Sequence, residues 1–241
     1  MRVLQRLSDH NADFFSGGHV TLAFLGDSVT HGSFELEDYG DRFVGINDYA
    51  AVYHNRLKEM LNILFPNAPI NVINAGIGGD SAPGGAERLE RDVLRYQPDL
   101  CAVCFGLNDV HGGDNGLERY LSALRSIFAA LKNAGVETVF MTPNMMNTYV
   151  SDKCGELGKK VADTTARLQN DGLMDAYMDG ARSLCVEMGI PVCDCYARWK
   201  TLAAAGVDTT LLLSNHINHP TREMHRMFAH MLLDTLLGHD M

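Results

Sequence analysis

The sequence predicts a three-layer α/β sandwich built around a mainly parallel, five-stranded sheet. Short, continuously apolar runs recur along the chain, which is typical of strands that are covered on both faces of a parallel sheet. Segments with helical spacing separate these runs and indicate βαβ crossovers. The predicted strands span 20–25, 70–74, 100–105, 136–141 and 191–195.

The first three strands each lead into a turn of distinctive composition. The first strand ends in Gly26-Asp27-Ser28, the second leads into the glycine-rich turn at 76–79, and the third into Gly106-Leu-Asn108. Two of the helical segments carry an apolar stripe with a period near 3.6 residues. The stripes are Tyr49, Val52, Tyr53, Leu57, Met60, Leu61 and Leu64, and Leu117, Leu121, Leu124, Phe128 and Leu131.

Two segments lack a clear period. Residues 31–48 mix Gly, Asp, Glu and Phe, and we expect them to form a loop beside the Ser28 turn. Residues 143–170 leave the fourth strand in a polar stretch on the same edge of the sheet. This second segment is a candidate substrate-contacting loop or lid, and a plain surface loop is the alternative.

The chain length suits a single domain. A chain of 241 residues can bury a large core. No Pro/Gly/Ser-rich linker and no internal repeat divides the sequence. We therefore expect one domain over 1–241, with 1–18 as an N-terminal extension packed on it.

Composition restricts the class of partner. The formal net charge is −10 and Lys159-Lys160 is the densest basic pair, which argues against a nucleic-acid partner. No run approaches the ~20 apolar residues of a membrane span, and 1–18 lacks a signal-peptide core. The sequence thus predicts no membrane association and sets no oligomeric state.

The six cysteines are not spaced as in a small secreted scaffold. We expect them to be buried thiols, because free Cys behaves as a small apolar residue. Cys193 and Cys195 share a strand face, so a metal site or a disulfide is the alternative there. A reducing, cytoplasmic location is the expectation.

Ser28 is the first candidate for chemistry. A serine just beyond a strand end is often a helix N-cap, and Asp27 suits a cap or turn equally well. As a nucleophile, the Ser28 hydroxyl would need a neighbouring base.

The glycine-rich turn at 76–79 can present bare backbone N–H groups to a ligand. Such donors suit an oxyanion hole, where negative charge develops on the reacting oxygen. A dinucleotide fingerprint is the alternative, but Ser81 stands at its third glycine position, and the turn follows the second strand rather than the first.

Asn108 and His219 complete the set. Asn108 offers an amide donor at the end of the third strand, and a turn or cap role is its alternative. His219 precedes Pro220, a favoured first helical residue, so the base is expected at the start of the last helix. The apolar stripe of that helix is Met224, Met227, Phe228, Met231 and Leu232.

We predict neither a metal site nor a cofactor. The nearby His216, His225 and His230 lack a matching set of carboxylates or cysteines.

These blocks resemble the SGNH/GDSL hydrolase family, whose name records Ser, Gly, Asn and His in separate motifs. The resemblance covers residues 20–236, with Val29 where the four-letter name has Leu. It implies a flavodoxin-like sandwich and ester hydrolysis through an acyl-enzyme. Ordinary α/β-hydrolases match less well, because their nucleophile elbow needs Gly where this chain has Thr30.

The resemblance assigns a role to each block. It implies Ser28 as the nucleophile and His219 as the base. It further implies an oxyanion hole formed by the Ser28 N–H, the Gly79 N–H and the Asn108 amide.

The chain departs from the family pattern before the histidine. The family usually carries Asp three residues earlier to orient the imidazole, and here that position is His216. In the serine-protease template, loss of this control lowers turnover by about 10⁴. A backbone carbonyl in 214–217 or the side chain of Asn215 or His216 would leave a working dyad.

Two other outcomes remain. A distant carboxylate such as Asp208 or Glu223 would substitute for the Asp, or the chain would bind ligands without catalysis. We favour the dyad because all four motif residues are present.

The resemblance therefore implies a serine esterase that acts on small acyl esters, such as an acetyl ester on a carbohydrate. The alternative is a catalytically impaired ligand-binding protein with the same fold.

Overall fold

The computed structural model describes residues 1–13, 15, 17–39 and 42–238. The strands formed by the described residues are β1 (Val20–Gly26), β2 (Ser33–Tyr39), β3 (Arg42–Asn47), β4 (Ile70–Gly76), β5 (Leu100–Cys104), β6 (Glu137–Met141) and β7 (Val192–Cys193). Their α-helices are α1 (Arg2–Ala12), α2 (Ser28–His31), α3 (Tyr53–Leu64), α4 (Ala82–Asp92), α5 (Leu117–Asn133), α6 (Glu156–Asn170), α7 (Leu173–Met188), α8 (Cys195–Ala204) and α9 (Arg222–Leu237). Short 3₁₀ helices span Leu94–Tyr96, Asp109–Gly112, Asp114–Gly116 and Thr209–Leu212.

Five of these strands form the main sheet in the order β4-β1-β5-β6-β7. Every neighbouring pair in it is parallel. This confirms the predicted five-stranded sheet, and the order is that of flavodoxin-like folds. The prediction placed the last strand over 191–195, but β7 ends at Cys193. The chain turns there because the Asp194 carboxylate caps α8 by accepting from the Ala197 N–H at 3.0 Å.

The register aligns the carboxyl ends of the three strands that matter for the site. Gly26 of β1 pairs with Gly76 of β4 and with Cys104 of β5. The segments that follow these strands therefore leave the sheet at one edge, side by side.

Helices cover the sheet on both faces. Helix α3 packs against α9, while α4 packs against α5, which in turn contacts α7. The β5 strand between these layers is buried along its whole length, as a continuously apolar run predicts.

The N-terminal helix docks on this assembly. Val3 and Leu7 of α1 belong to the same buried apolar cluster as the sheet. The Glu137 carboxylate accepts hydrogen bonds from the N–H groups of Arg2 and Val3, at 2.7 and 2.8 Å. A carboxylate at this position satisfies donors at the positive end of the helix.

Most of 31–48, expected as a loop, forms an antiparallel hairpin of β2 and β3, while positions 40 and 41 of that prediction lie outside the described residues. Apolar residues alternate with polar ones along Ser33-Phe-Glu-Leu-Glu-Asp, which is the pattern of a half-buried strand. Charged residues in this segment obscured that period in our interpretation. We refer below to Ser33–Tyr39 and Arg42–Asn47 as the hairpin.

The cysteine prediction is confirmed: all six are buried and unpaired. Cys193 and Cys195 are not disulfide-bonded, and their Sγ atoms lie 3.7 Å apart. Among the described residues, no helix combines the length and the apolar character that crossing a bilayer requires.

Candidate active site

Ser28 lies at the start of α2, directly beyond the end of β1. The Asp27 carboxylate caps this short helix by accepting from the Val29 N–H at 2.9 Å. The turn needs glycine opposite it, because a Cβ on Gly76 would lie 2.2 Å from the His31 backbone nitrogen. The close approach of α2 to β4 thus fixes Ser28 at the sheet edge.

The Ser28 hydroxyl is hydrogen-bonded to an imidazole. The Oγ atom lies 2.9 Å from Nε2 of His219. Ser28 is 7% exposed and His219 is 4% exposed. The two residues are separated by 191 positions in the chain, so the topology of the sheet and of α9 brings them together.

A tight loop positions His219. Leu213 and Pro220 pair in an isolated antiparallel bridge that closes the loop. Inside it, Asn215 Oδ1 accepts from the N–H groups of Ile217, Asn218 and His219 at 3.0, 2.9 and 2.9 Å. These hydrogen bonds fix the backbone of the loop at His219, and the fixed backbone positions the imidazole.

The last helix begins later than the sequence indicated. Pro220 was predicted as its first residue, but α9 begins at Arg222 with Thr221 as its cap. Pro220 instead forms the bridge that closes the loop, and the Thr221 hydroxyl accepts from the Met224 N–H at 3.4 Å.

The second nitrogen of the imidazole contacts the hairpin. His219 Nδ1 lies 3.1 Å from the carbonyl oxygen of Phe34 in β2. Because a carbonyl only accepts, Nδ1 carries the proton and Nε2 is free to accept from Ser28.

This contact replaces the orienting groups that we predicted. The Asn215 side chain acts on the backbone of the loop rather than on Nδ1, and no 214–217 carbonyl takes that place. His216 has a left-handed backbone, φ +55°, and lines a neighbouring cavity. Asp208 instead accepts from Tyr149 at 2.8 Å, and Glu223 is exposed.

Burial controls the charge of the imidazole. Desolvation lowers the pKa of His219 from 6.5 to about 4, and the Phe34 hydrogen bond and nearby Glu35 only partly offset it. The imidazole is thus neutral at pH 7, the state in which it can accept a proton.

Two donors of the predicted oxyanion hole lie beside Ser28. Gly79 has φ +77°, a left-handed conformation that favours glycine. Among the described residues, none accepts a hydrogen bond from its N–H. Asn108 Nδ2 donates to the Asp80 carbonyl at 2.7 Å, and its second hydrogen remains available.

A buried arginine supports these turns from behind. Arg88 donates to the carbonyl oxygens of Gly26 and Ala75 at 2.9 and 2.7 Å, and to the Asp80 carboxylate at 2.6 Å. It thereby joins the end of β1, the end of β4 and the residue next to Gly79. Our interpretation of the sequence missed Arg88; the visible signal is its place on α4, eight residues after Asp80, which lies in the turn before that helix.

Two carboxyl groups are buried beneath the site. Desolvation raises the pKa of Asp27 from 3.8 to about 7, and that of Asp109 from 3.8 to about 6. One oxygen of each, Oδ2, has no hydrogen-bond partner among the described residues.

An open cleft of about 650 Å³ lies over the Ser28 hydroxyl. One wall comes from the hairpin, which contributes Ser33, Leu36, Phe43, Gly45 and Asn47. The sequence interpretation missed these residues, and the alternating runs on either side of Gly40-Asp41 are the signal that would have found them.

The other walls come from the predicted motifs and from α6. Val161 of α6 contributes to the lining, together with Ile217 and Asn218. Residues 143–170, expected as a loop, are instead helical over Glu156–Asn170 (α6), because small and apolar residues such as Ala162 and Ala166 recur at helical spacing on its buried face, and Val161 of this helix lines the cleft. Within the described part of the chain, no three His, Cys, Asp or Glu side chains converge as a metal site requires.

The structure therefore combines a parallel α/β sandwich with a hydrogen-bonded Ser–His pair in a cleft, which is the architecture of a hydrolase. Residues 24–227 match the GDSL-like lipase/acylhydrolase family. The chain belongs to this family and is a carboxylic ester hydrolase.

One sequence relative agrees with this assignment, and a solved structure shares the fold. An acetylxylan esterase of Geobacillus stearothermophilus is 25% identical over 168 residues, which cover 63% of this chain and 75% of the relative. The crystal structure of Axe2, an acetylxylan esterase from the same organism, is similar at 21% identity with a TM-score of 0.67. This match covers 91% of this chain and 95% of Axe2.

A second solved structure has the same fold. LAE5, an alpha/beta hydrolase enzyme from the metagenome of Lake Arreo, Spain, matches with a TM-score of 0.68 and 20% identity. The match covers 92% of this chain and 97% of LAE5. At these identities the structural comparisons show the fold.

Proposed function

We propose that the chain hydrolyses small acyl esters, foremost acetyl esters, through an acyl-enzyme on Ser28. The observation that carries this proposal is the 2.9 Å hydrogen bond between Ser28 Oγ and a neutral, buried imidazole. A serine hydroxyl becomes a useful nucleophile only beside such a base.

In the acylation step, Ser28 Oγ attacks the ester carbonyl carbon while His219 Nε2 takes the hydroxyl proton. The carbonyl oxygen becomes an oxyanion, and the N–H groups of Ser28 and Gly79 and the amide of Asn108 donate to it. When the tetrahedral intermediate collapses, His219 returns the proton to the departing alcohol oxygen.

In the deacylation step, a water molecule takes the place of the alcohol. His219 Nε2 accepts one proton from this water as its oxygen attacks the acyl carbon. The bond from that carbon to Ser28 Oγ then breaks, and the same proton returns to the serine. The carboxylic acid leaves, and throughout both steps the Phe34 carbonyl keeps the Nδ1 proton in place.

The substrate class is proposed from two observations. The cleft offers polar groups that can bind hydroxyls, namely His31, Ser33, Asn47 and Asn218. A sequence relative is an acetylxylan esterase. Both support an acetyl ester carried on a carbohydrate.

The ligand-binding alternative rested on the missing Asp. Because Phe34 supplies an acceptor for Nδ1, the absence of that carboxylate does not leave the imidazole unoriented. We therefore favour the enzyme.

Hydrolysis of p-nitrophenyl acetate and p-nitrophenyl butyrate tests the proposal. Ser28→Ala should lower kcat by on the order of 10⁴ or more, because the acyl-enzyme cannot form. Ser126→Ala, which changes an exposed serine on α5, is the matched control and should retain the full rate. Equal rates for wild type and Ser28→Ala would favour the ligand-binding alternative.

Release of acetate from acetylated xylo-oligosaccharides tests the substrate class. A kcat/KM higher than for p-nitrophenyl acetate is the expected result. No release from the oligosaccharide, with the nitrophenyl ester still cleaved, would reject the carbohydrate and retain the esterase.

A further inference from the structure

The acceptor for Nδ1 of His219 lies in an irregular part of the hairpin. Ser33 pairs with Asn47, and Leu36 pairs with Gly45, so two residues of β2 stand opposite one residue of β3. Phe34 and Glu35 are these two residues. A bulge of this kind disrupts the ladder locally and redirects backbone groups, and such bulges are enriched next to active sites.

One arginine holds both residues of the bulge. Arg222, the first residue of α9, donates to the two carboxylate oxygens of Glu35 at 2.6 and 3.2 Å. Its Nε donates to the Asp48 carboxylate at 2.9 Å, just beyond β3. The guanidinium thus links β2 to the residue that follows β3, at the open end of the hairpin.

The Phe34 ring is held by the same helix. The Arg222 guanidinium carbon lies 4.3 Å from the centre of the ring. On the same helix, the His225 ring centre lies 4.8 Å away. Phe34 is fully buried, so its ring has little freedom to move.

The electrostatics agree with this geometry. The hydrogen bonds to Arg222 lower the pKa values of both Glu35 and Asp48. Both carboxylates are therefore ionised at neutral pH and remain paired with the guanidinium.

We propose that Arg222 is a positioning residue of the esterase: by clamping Glu35 and packing on Phe34, it sets the Phe34 carbonyl against Nδ1 of His219. The inference rests on the proposed function. It accounts for the missing Asp. A backbone carbonyl takes the place of that carboxylate as the acceptor for Nδ1 of His219, and an ion pair from the first turn of α9 fixes the carbonyl.

A contribution to overall stability explains the ion pairs of Arg222 with Glu35 and Asp48 less well. The side chains of Arg222, Glu35 and Asp48 are each about a third exposed, at 35, 37 and 34%. Ion pairs with this exposure contribute little to global stability. Their effect is expected locally, on the direction in which the bulge carbonyl points.

Steady-state kinetics on p-nitrophenyl acetate test the inference in the full chain. Arg222→Ala should lower kcat by about 10- to 100-fold, because a small misplacement remote from the reacting atoms has a cost of this size. KM should change by less than about threefold, since the cleft walls remain. Arg222→Lys should recover part of kcat, because Lys keeps the charge but not the bidentate contact.

The tautomer of His219 is a second readout, one that a merely structural role would not move. Nitrogen-15 NMR of the imidazole should show a single tautomer, protonated on Nδ1, in the wild type. Arg222→Ala should give a mixture of tautomers or an exchange-broadened signal. An unchanged tautomer together with an unchanged kcat would overturn the inference.

Two further variants complete the design. Arg226→Ala removes an exposed arginine one turn later on α9 and should behave as the wild type. An equal loss of kcat in both arginine variants would overturn the inference. Glu35→Gln weakens the same ion pair from the hairpin side. This variant therefore tests the inference if Arg222→Ala fails to fold. A folded Glu35→Gln with the wild-type kcat would contradict the inference.

Failure of the inference and failure of the proposed function give different results. If Ser28→Ala is as active as the wild type, the proposed function is wrong. If activity depends on Ser28 but not on Arg222, only the positioning role is wrong.

Discussion

Nδ1 of His219 lies 3.1 Å from the carbonyl oxygen of Phe34, a residue 185 positions earlier in the chain. The imidazole is thus fixed by two separate elements, the loop that carries it and the hairpin that lines the cleft. One wall of the cleft and the acceptor for Nδ1 of His219 therefore belong to the same hairpin.

The low pKa of His219 predicts activity in mild acid. Below about 4 the imidazole is protonated and cannot accept the Ser28 proton, whereas above that pKa it is a free base. The acid limb of kcat/KM on p-nitrophenyl acetate should therefore have its midpoint near pH 4. A midpoint at the ordinary histidine value, 6.5, would contradict the buried, neutral imidazole.

Circular dichroism at each pH is the control for unfolding. Burial lowers the pKa values of His54 and His225 from 6.5 to about 4 and about 3. The unfolded chain then binds protons more readily, so these residues contribute stability that is lost as the pH falls below 6.5. Rates should be read only where the chain stays folded.

Substitution of His216 should leave catalysis intact. His216→Asn keeps a residue that tolerates the left-handed backbone, and kcat should stay within about threefold of the wild type. His216→Asp, which restores the usual family residue, should not raise kcat, because Phe34 already occupies the Nδ1 position. A loss near 10⁴ in His216→Asn would instead assign the orienting role to His216.

Asn215 should contribute to stability through its hydrogen bonds to the backbone of the loop. Asn215→Ala removes the acceptor of three N–H groups, and the unfolding free energy should fall by about 2–4 kcal/mol. Asn215→Asp keeps that acceptor and should restore most of the loss in a urea titration. Equal stability of Ala and wild type would show that these hydrogen bonds are dispensable.

Asn108→Ala should lower kcat by on the order of 10²–10³, as loss of one oxyanion donor does elsewhere. KM should change little, since this donor acts mainly on the charged transition state. A rise in KM with kcat unchanged would assign Asn108 to substrate binding instead.

The raised pKa of Asp27 predicts that the difference in stability between the wild type and Asp27→Asn depends on pH. Its pKa is raised from 3.8 to about 7, so between these values the folded chain holds a proton that the unfolded chain has released. The stability of the wild type therefore falls as the pH rises through this window. Asp27→Asn does not titrate and should gain about 2–4 kcal/mol relative to the wild type between pH 4 and pH 8.

Thermal melts of both proteins at each pH measure this difference. A Tm difference that stays constant with pH would contradict a buried, raised carboxyl at Asp27.

The sequence predicted the parts of the site that topology brings together. Parallel strands end at one edge, so the turns at Ser28, Gly79 and Asn108 were expected to meet there, and they do. His219 joins them from the far end of the chain, where its position before Pro220 and the last apolar stripe marked it as a candidate. Apolar runs were sufficient for these predictions because burial on both faces leaves a strong pattern.

The orienting group was missed for a physical reason. The Phe34 acceptor is a backbone oxygen, and a backbone atom leaves no residue-type signature. The bulge that exposes it depends on the pairing register of β2 and β3, and the clamp joins Glu35 to a residue 187 positions away. Such relationships follow from the assembled fold.

Covalent labelling with a fluorophosphonate tests the central claim most directly, because Oγ must attack phosphorus and expel fluoride. We predict one adduct per chain on the peptide that carries Ser28, with activity lost in proportion to labelling. Ser28→Ala should remain unlabelled, and His219→Ala should react far more slowly. An active enzyme that takes no label on Ser28, or that is labelled elsewhere with the same loss of activity, would contradict the account.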